Sequence, residues 1–209
     1  MDLLVKSVVE GNVQQVVESS KTHLSSGVDP LDIIADGLVA GMNIVGPRFK
    51  SGEMYVPEVI MSAKAMSEGM KILKTFLKDD DLPSEGKIVI GTVKGDLHDI
   101  GKNLVAILLE SSGYKIINLG VDVSPEEFSE AVHEHQPDVI GLSALLTTTM
   151  MEMKNTVDYL SEKGLRNNVK IITGGAPVSA AFSREIGADG YASDAGSAIE
   201  LVQSLLKND

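Results

Sequence analysis

The sequence has no cysteine. That excludes a disulfide framework, a thiolate metal site and a thiol nucleophile. Basic residues are also scarce, 18 against 30 acidic ones for a net charge of −12. A phosphate-backbone partner needs clustered Lys and Arg, so nucleic acid is not the expected ligand. Nowhere do about 18 apolar residues follow one another, and Met1 to Glu10 lacks the basic-then-apolar order of a secretion signal. The expectation is a chain with no membrane partner, working in the cytoplasm.

What is present is enough for packed cores. Of 209 residues, 43% are apolar, ordinary for a globular protein and too many for a disordered one. The first half reads as helices. Gly11-Asn12 separates a short opening helix from one over Val13 to Ser25, with Asn12 as cap. Asp29-Pro30 starts a longer helix, the Asp as cap and the Pro at the first helical position. Along it Leu31, Ile34, Leu38, Met42, Val45 and Phe49 recur every three or four residues. Pro57 opens a further helix whose expected apolar face is Ile60, Ala63, Met66, Met70, Leu73 and Leu77. Four helices with short connections imply an all-α four-helix bundle over 1–85. The charged, Pro- and Gly-bearing run Asp79 to Gly86 reads as a linker.

Beyond it the period changes. Short β-rich runs (Lys87 to Val93, Tyr114 to Leu119, Asp138 to Ser143, Lys170 to Thr173, Gly190 to Ala192) alternate with helix-length segments over 86–209. This predicts an α/β domain, a doubly wound parallel five-stranded sheet covered by helices. In such sheets ligands sit beyond the carboxyl ends of the strands.

Three motifs fall there. After the first run comes Gly95-Asp96-Leu97-His98-Asp99-Ile100-Gly101. On a loop, a carboxylate can accept the N–H of the histidine ring while the other ring nitrogen binds a metal. Gly101 lets backbone approach a bulky ligand closely. After the third run, Ser143-Ala144-Leu145-Leu146-Thr147-Thr148-Thr149 offers four hydroxyls in seven residues. After the fourth, Gly174-Gly175 removes two side chains. Alone, each has an ordinary reading: a loop with a solvated histidine, a helix cap, a tight turn before Pro177.

Together, Asp-x-His-x-x-Gly, Ser-x-Leu and Gly-Gly resemble the cobalamin-binding domain of methionine synthase and its relatives. The resemblance implies a bound cobalamin or related corrinoid with His98 as the lower metal ligand. It makes Asp96 the partner of His98, with Gly95, Leu97, Asp99 and Gly101 around them, and Thr149 a hydroxyl that extends the relay. Ser143, Leu145 and Thr147, with Gly174 and Gly175, would line the slot for the cofactor's nucleotide tail. Ser193 and Ala195 would approach the corrin edge. Gly46 to Val59 is similar to the family's cap segment, which implies that Phe49 and Val56 shield the upper cobalt face; alternatively they are bundle core.

Cap segment and binding domain together resemble the stand-alone corrinoid proteins of methyltransferase systems. Their chemistry implies a methyl carrier that receives the group from a substrate:corrinoid methyltransferase and gives it to a corrinoid:pterin methyltransferase. A reductive activation protein would restore oxidised cobalt. Proton uptake through Asp96 and Thr149 would accompany methyl transfer, and Asp79 to Gly86 would be the hinge that frees the cap. Two other readings share the motif, an adenosylcobalamin mutase subunit and a corrinoid-sensing regulator. The first needs a substrate barrel; the second needs a basic helix-turn-helix, whereas Met1 to Ser25 holds only Lys6 and Lys21. His133 and His135 at a helix end, and His23 among small polar residues, are expected to be solvated.

Overall fold

The computed structural model describes residues 1–77 and 84–207. Most of the expected linker, Asp79 to Leu82 and Pro83, lies outside the described residues. The chain divides into two compact units, Met1–Glu85 with Glu110–Gly113, and Gly86–Leu109 with Tyr114–Asp209.

The first unit is helical: α1 (Asp2–Val9), α2 (Val13–Ser25), α3 (Pro30–Ile33), α4 (Ala40–Lys50) and α5 (Val56–Lys74). Asn12 and Asp29 cap as their side chains allow, accepting the N–H of Gln15 at 3.1 Å and of Leu31 at 2.8 Å. A π-helical stretch, Ile34–Val39, joins α3 to α4 without a break, so the predicted long helix is one rod. Ile34, Leu38, Met42 and Val45 are buried on it, as their spacing requires.

The face of α5 differs from its hydrophobic spacing. The residues buried on it are Val59, Ser62, Ala65, Met66, Gly69 and Leu73, while Ile60 stays 46% exposed. The inward stripe is rotated by about one residue because small side chains define the seam. A Cβ on Gly69 would stand 2.9 Å from atoms of both Leu38 and Val16. The helices approach that closely only where a side chain is missing. His23 also departs from expectation. It is half-buried, its Nδ1 lying 2.8 Å from the Ser19 carbonyl and its Nε2 3.1 Å from the Met1 amino nitrogen. Packing of α2, which periodicity alone does not place, covers part of it.

In the second unit β1 (Lys87–Val93), β2 (Lys115–Val123), β3 (Val139–Ser143), β4 (Lys170–Gly174) and β5 (Gly190–Ala192) form one parallel sheet in the order β2-β1-β3-β4-β5. Between them run α6 (Ile100–Ser111), α7 (Pro125–His135), α8 (Met150–Glu162) and α9 (Ala180–Glu185), and α10 (Ala195–Lys207) follows β5. The connection from β1 to β2 runs opposite to the later ones, so right-handed crossovers put helices on both faces. Val89, Ile140, Leu142 and Ile171 of the sheet pack with Phe128, Met153 and Leu160 of α7 and α8. Gly91 makes room for Phe128, whose ring a Cβ there would meet at 2.7 Å.

Register sets up the site. Thr92, Ser143, Gly174 and Ala192 are paired in one row across β1, β3, β4 and β5. The segments that leave these strands therefore emerge side by side, at the point where strand order reverses between β1 and β3.

Candidate functional site

Asp96 is wholly buried just past β1. A buried carboxylate needs donors, and it has five. Its Oδ1 accepts from the His98 main-chain N–H at 3.0 Å and stands 2.7 Å from His98 Nδ1. Its Oδ2 accepts from the main-chain N–H groups of Leu145 (2.7 Å) and Leu146 (3.2 Å) and from the Thr149 hydroxyl (2.8 Å). Burial by itself would raise the carboxyl pKa. The donors from Leu145, His98 and Thr149 outweigh it and hold the group well below the usual carboxylate range.

An anionic Asp96 fixes the histidine. Facing a carboxylate, Nδ1 is the donor of this contact, and Nε2 has no hydrogen-bond partner among the described residues. The His98 side chain is half exposed, so Nε2 is accessible. The loop is held from below as well, since buried Thr92 donates its hydroxyl to the His98 carbonyl at 2.9 Å.

Thr149 stands at the start of α8, yet its side chain makes no capping bond to the helix. Its single hydroxyl proton has two acceptors in reach, Asp96 Oδ2 and the Leu146 carbonyl at 2.9 Å. The anionic one is the stronger. A hydroxyl expected to cap a helix is thus turned toward the carboxylate.

Around this pair the expected residues take varied places. Gly95, with φ of +79°, gives its N–H to Asp122 Oδ1 at 2.6 Å. Leu97 is 71% exposed. Asp99 accepts from the Asn103 side chain at 2.9 Å. Gly101 lies in the first turn of α6 with nothing within 4 Å of where a Cβ would be, so the space beside it is open. Ser143 ends β3, half-buried, with Leu145 and Thr147 exposed beyond it. Gly175 has φ of +128°, and a Cβ on it would lie 1.8 Å from the Ala144 carbonyl oxygen. Its missing side chain is required by the protein's own backbone, which brings the turns after β3 and β4 together; Gly174 is looser, 3.2 Å from the Ala192 oxygen. Ser193 is exposed and gives its hydroxyl to Asp194 at 2.8 Å, while Ala195 is buried where α10 begins. Phe49 and Val56 belong to the helical unit, half-buried and exposed respectively, at the two ends of the turn closed by Glu53 and Met54 N–H groups on the Arg48 carbonyl.

Spacing alone did not single out Thr92, Leu146, Asp122 or the main-chain donors. A nearby polar group also escaped it: Lys102, buried, donates to Asn103 and Asn118 side-chain oxygens at 2.8 and 2.7 Å. Burial lowers its pKa, opposed by the charge of Asp99.

The donor set suits a metal already held in a macrocycle. One oriented imidazole nitrogen is open, and beside it Leu97, Ile100, Leu145 and Leu146 expose apolar surface at the strand ends. Among the described residues no group of three or more His, Asp or Glu side chains is placed to hold a bare ion. No helix among them is long and apolar enough to cross a membrane.

Residues 86–200 match the B12 binding domain family, and residues 1–74 match a second family also described as a B12 binding domain. A corrinoid protein of Desulfitobacterium hafniense is 43% identical over 99% of this chain and 97% of its own. Dimethylamine corrinoid protein 1 of Methanosarcina acetivorans is 44% identical over 93% of this chain and 90% of its own. Among solved structures, the methanol:cobalamin methyltransferase complex MtaBC from Methanosarcina barkeri superposes with a TM-score of 0.89 at 34% identity, covering 99% of this chain and 79% of that one. A cobalamin-binding protein from Desulfitobacterium hafniense gives 0.81 at 32%, covering 97% and 96%.

Proposed function

The chain belongs to the family of corrinoid proteins built on the B12 binding domain, and from that membership we propose that it carries a methyl group between two methyltransferases, with His98 as the lower ligand to cobalt. When bound, the corrinoid supplies a metal centre able to accept and release a methyl group. The protein's residues bind, orient and shield.

The observation that carries the reading is the 2.7 Å contact of His98 Nδ1 with a carboxylate that is itself wholly buried and faced by four further donors. That contact sets the tautomer, aims Nε2 outward and raises its basicity as a ligand. The Leu145 and His98 main-chain N–H groups and the Thr149 hydroxyl together hold the carboxylate in place and favour its charged form. Ser143, Leu145, Thr147, Gly174 and Gly175 would line the tail slot, Ser193 and Ala195 would face the corrin edge, and Phe49 and Val56 would shield the upper side.

Relatives are named for dimethylamine and for methanol, so the methyl donor is selected by the partner, a substrate:corrinoid methyltransferase. The acceptor enzyme would serve a pterin such as tetrahydrofolate, and a reductive activation protein would rescue oxidised cobalt.

Reconstitution with cobinamide, a corrinoid that brings no nitrogen base of its own, tests the ligand. Electron paramagnetic resonance of the cobalt(II) state should show superhyperfine splitting from one nitrogen, lost in His98→Ala and restored in part by added imidazole. Splitting that persists in His98→Ala would overturn the assignment.

A further inference from the structure

The geometry points to Asp122 as a positioning residue for the Asp96–His98 pair, an inference that rests on the reading of His98 as the cobalt ligand. The loop after β1 lies between two neighbours, because β1 sits between β2 and β3. On the β3 side it is tied through the Asp96 carboxylate. On the β2 side Asp122 makes both ties. Its main-chain N–H donates to the Asp96 carbonyl at 3.0 Å, and its Oδ1 accepts the Gly95 N–H at 2.6 Å. Two bonds from one residue to two consecutive ones fix the tilt of the loop, which a single bond would leave free to rotate. Asp96 then cannot follow its β3 donors without Asp122 following too.

The backbone is shaped for this. Between the pairs Ile90–Asn118 and Val93–Val123, β2 holds two more residues than β1, with a register shift at each step. Bulges of this kind re-aim side chains beside functional loops. Asp122 itself has φ of +57°, a conformation that Asp and Asn enter more readily than other residues with a side chain. The position thus asks for two properties at once, tolerance of positive φ and a short side-chain acceptor. Asn has both, Gly the first alone, and Ala neither.

The experiment compares Asp122→Asn, Asp122→Gly and Asp122→Ala as full chains reconstituted with cobinamide, which brings no nitrogen base of its own. Each is read by the nitrogen splitting of cobalt(II), by cobinamide affinity and, without cofactor, by amide exchange at Gly95. Asp122→Gly should keep its fold, lose protection at Gly95, and bind about tenfold more weakly with a reduced nitrogen-ligated fraction, the scale seen when a ligand's supporting partner is removed. Asp122→Asn should behave as wild type. An Asp122→Gly protein whose nitrogen-ligated fraction and affinity match wild type would overturn the inference even if its melting temperature fell. Absence of nitrogen splitting in wild type would instead overturn the reading of His98 on which the inference stands.

Discussion

The two units use their buried polar groups in different ways. In the helical unit these are serines. Ser7 gives its hydroxyl to the Leu3 carbonyl, Ser62 to that of Val9, and the Ser20 hydroxyl meets no partner among the described residues. They act mainly by being small, letting α5 close on α2 and the π-helical stretch. In the α/β unit the buried polar groups act by direction. Asp96 gathers donors from the loop after β1, from the start of the Leu145-Leu146 turn and from Thr149. A close-packed helical seam tolerates loss of a polar atom; a converging network does not.

The largest test of that contrast is Asp96→Asn. An amide can replace some acceptors but must turn its NH2 toward a donor, and it carries no charge. We expect a loss of ~2–3 kcal/mol in stability at pH 7, the scale of hydrogen bonds to an ionised group left unmatched. The pH dependence has a definite sign. A carboxyl whose folded pKa is depressed stabilises the fold above its unfolded value, ~3.9, and loses that effect as pH falls toward the folded one. Urea titrations of both cofactor-free proteins should therefore differ most near neutrality and converge below about pH 4. A gap that stays constant into acid would mean the charge of Asp96 contributes nothing.

How legible this contrast was in the sequence also differs between units. Strand-helix alternation located β1 and β5 to the residue and placed the motifs beyond strand ends, because short continuous apolar runs separated by helix-length segments specify a parallel sheet covered on both faces. The bundle was harder. Spacing of large apolar residues pointed to Ile60, but Ser62 and Gly69 carry the α5 seam, and a hydrophobic pattern gives no weight to absent side chains. At the site, Asp96, His98 and Thr149 were visible as side chains. The N–H groups of Leu145 and Leu146 were not, since every residue has one. Asp122 fell beyond the expected second run, which ended at Leu119; its role needs a bulge and a positive φ, neither of which its neighbours announce.

In the helical unit the corresponding test adds a single carbon. A Cβ at Gly41 would lie 2.6 Å from Val8 Cβ and 3.2 Å from the Val5 carbonyl oxygen, neither of which is a flexible tip. Ala gains about 1 kcal/mol in helix propensity over Gly, but overpacking costs about 1–3 kcal/mol. Gly41→Ala should thus lower stability modestly in thermal unfolding while leaving the nitrogen-ligated cobalt spectrum of reconstituted protein unchanged. If that spectrum changed, the separation between packing in one unit and positioning in the other would fail.

The smallest effect is the sharpest for the helical side. Ser20 is fully buried on α2, and its hydroxyl has no partner among the described residues. An unmet polar atom costs on the order of 1 kcal/mol, and Ala is also the better helix former. The small void left by removing one oxygen offsets part of this. Ser20→Ala should therefore raise the melting temperature by roughly 1–3 °C, from the ~2–4 °C per kcal/mol typical of a chain this size. Calorimetry of the cofactor-free protein reads it. If the melting temperature drops instead, the Ser20 hydroxyl is bonded in solution. The bundle would then hold a further directed polar contact beside that of Ser62 with the Val9 carbonyl.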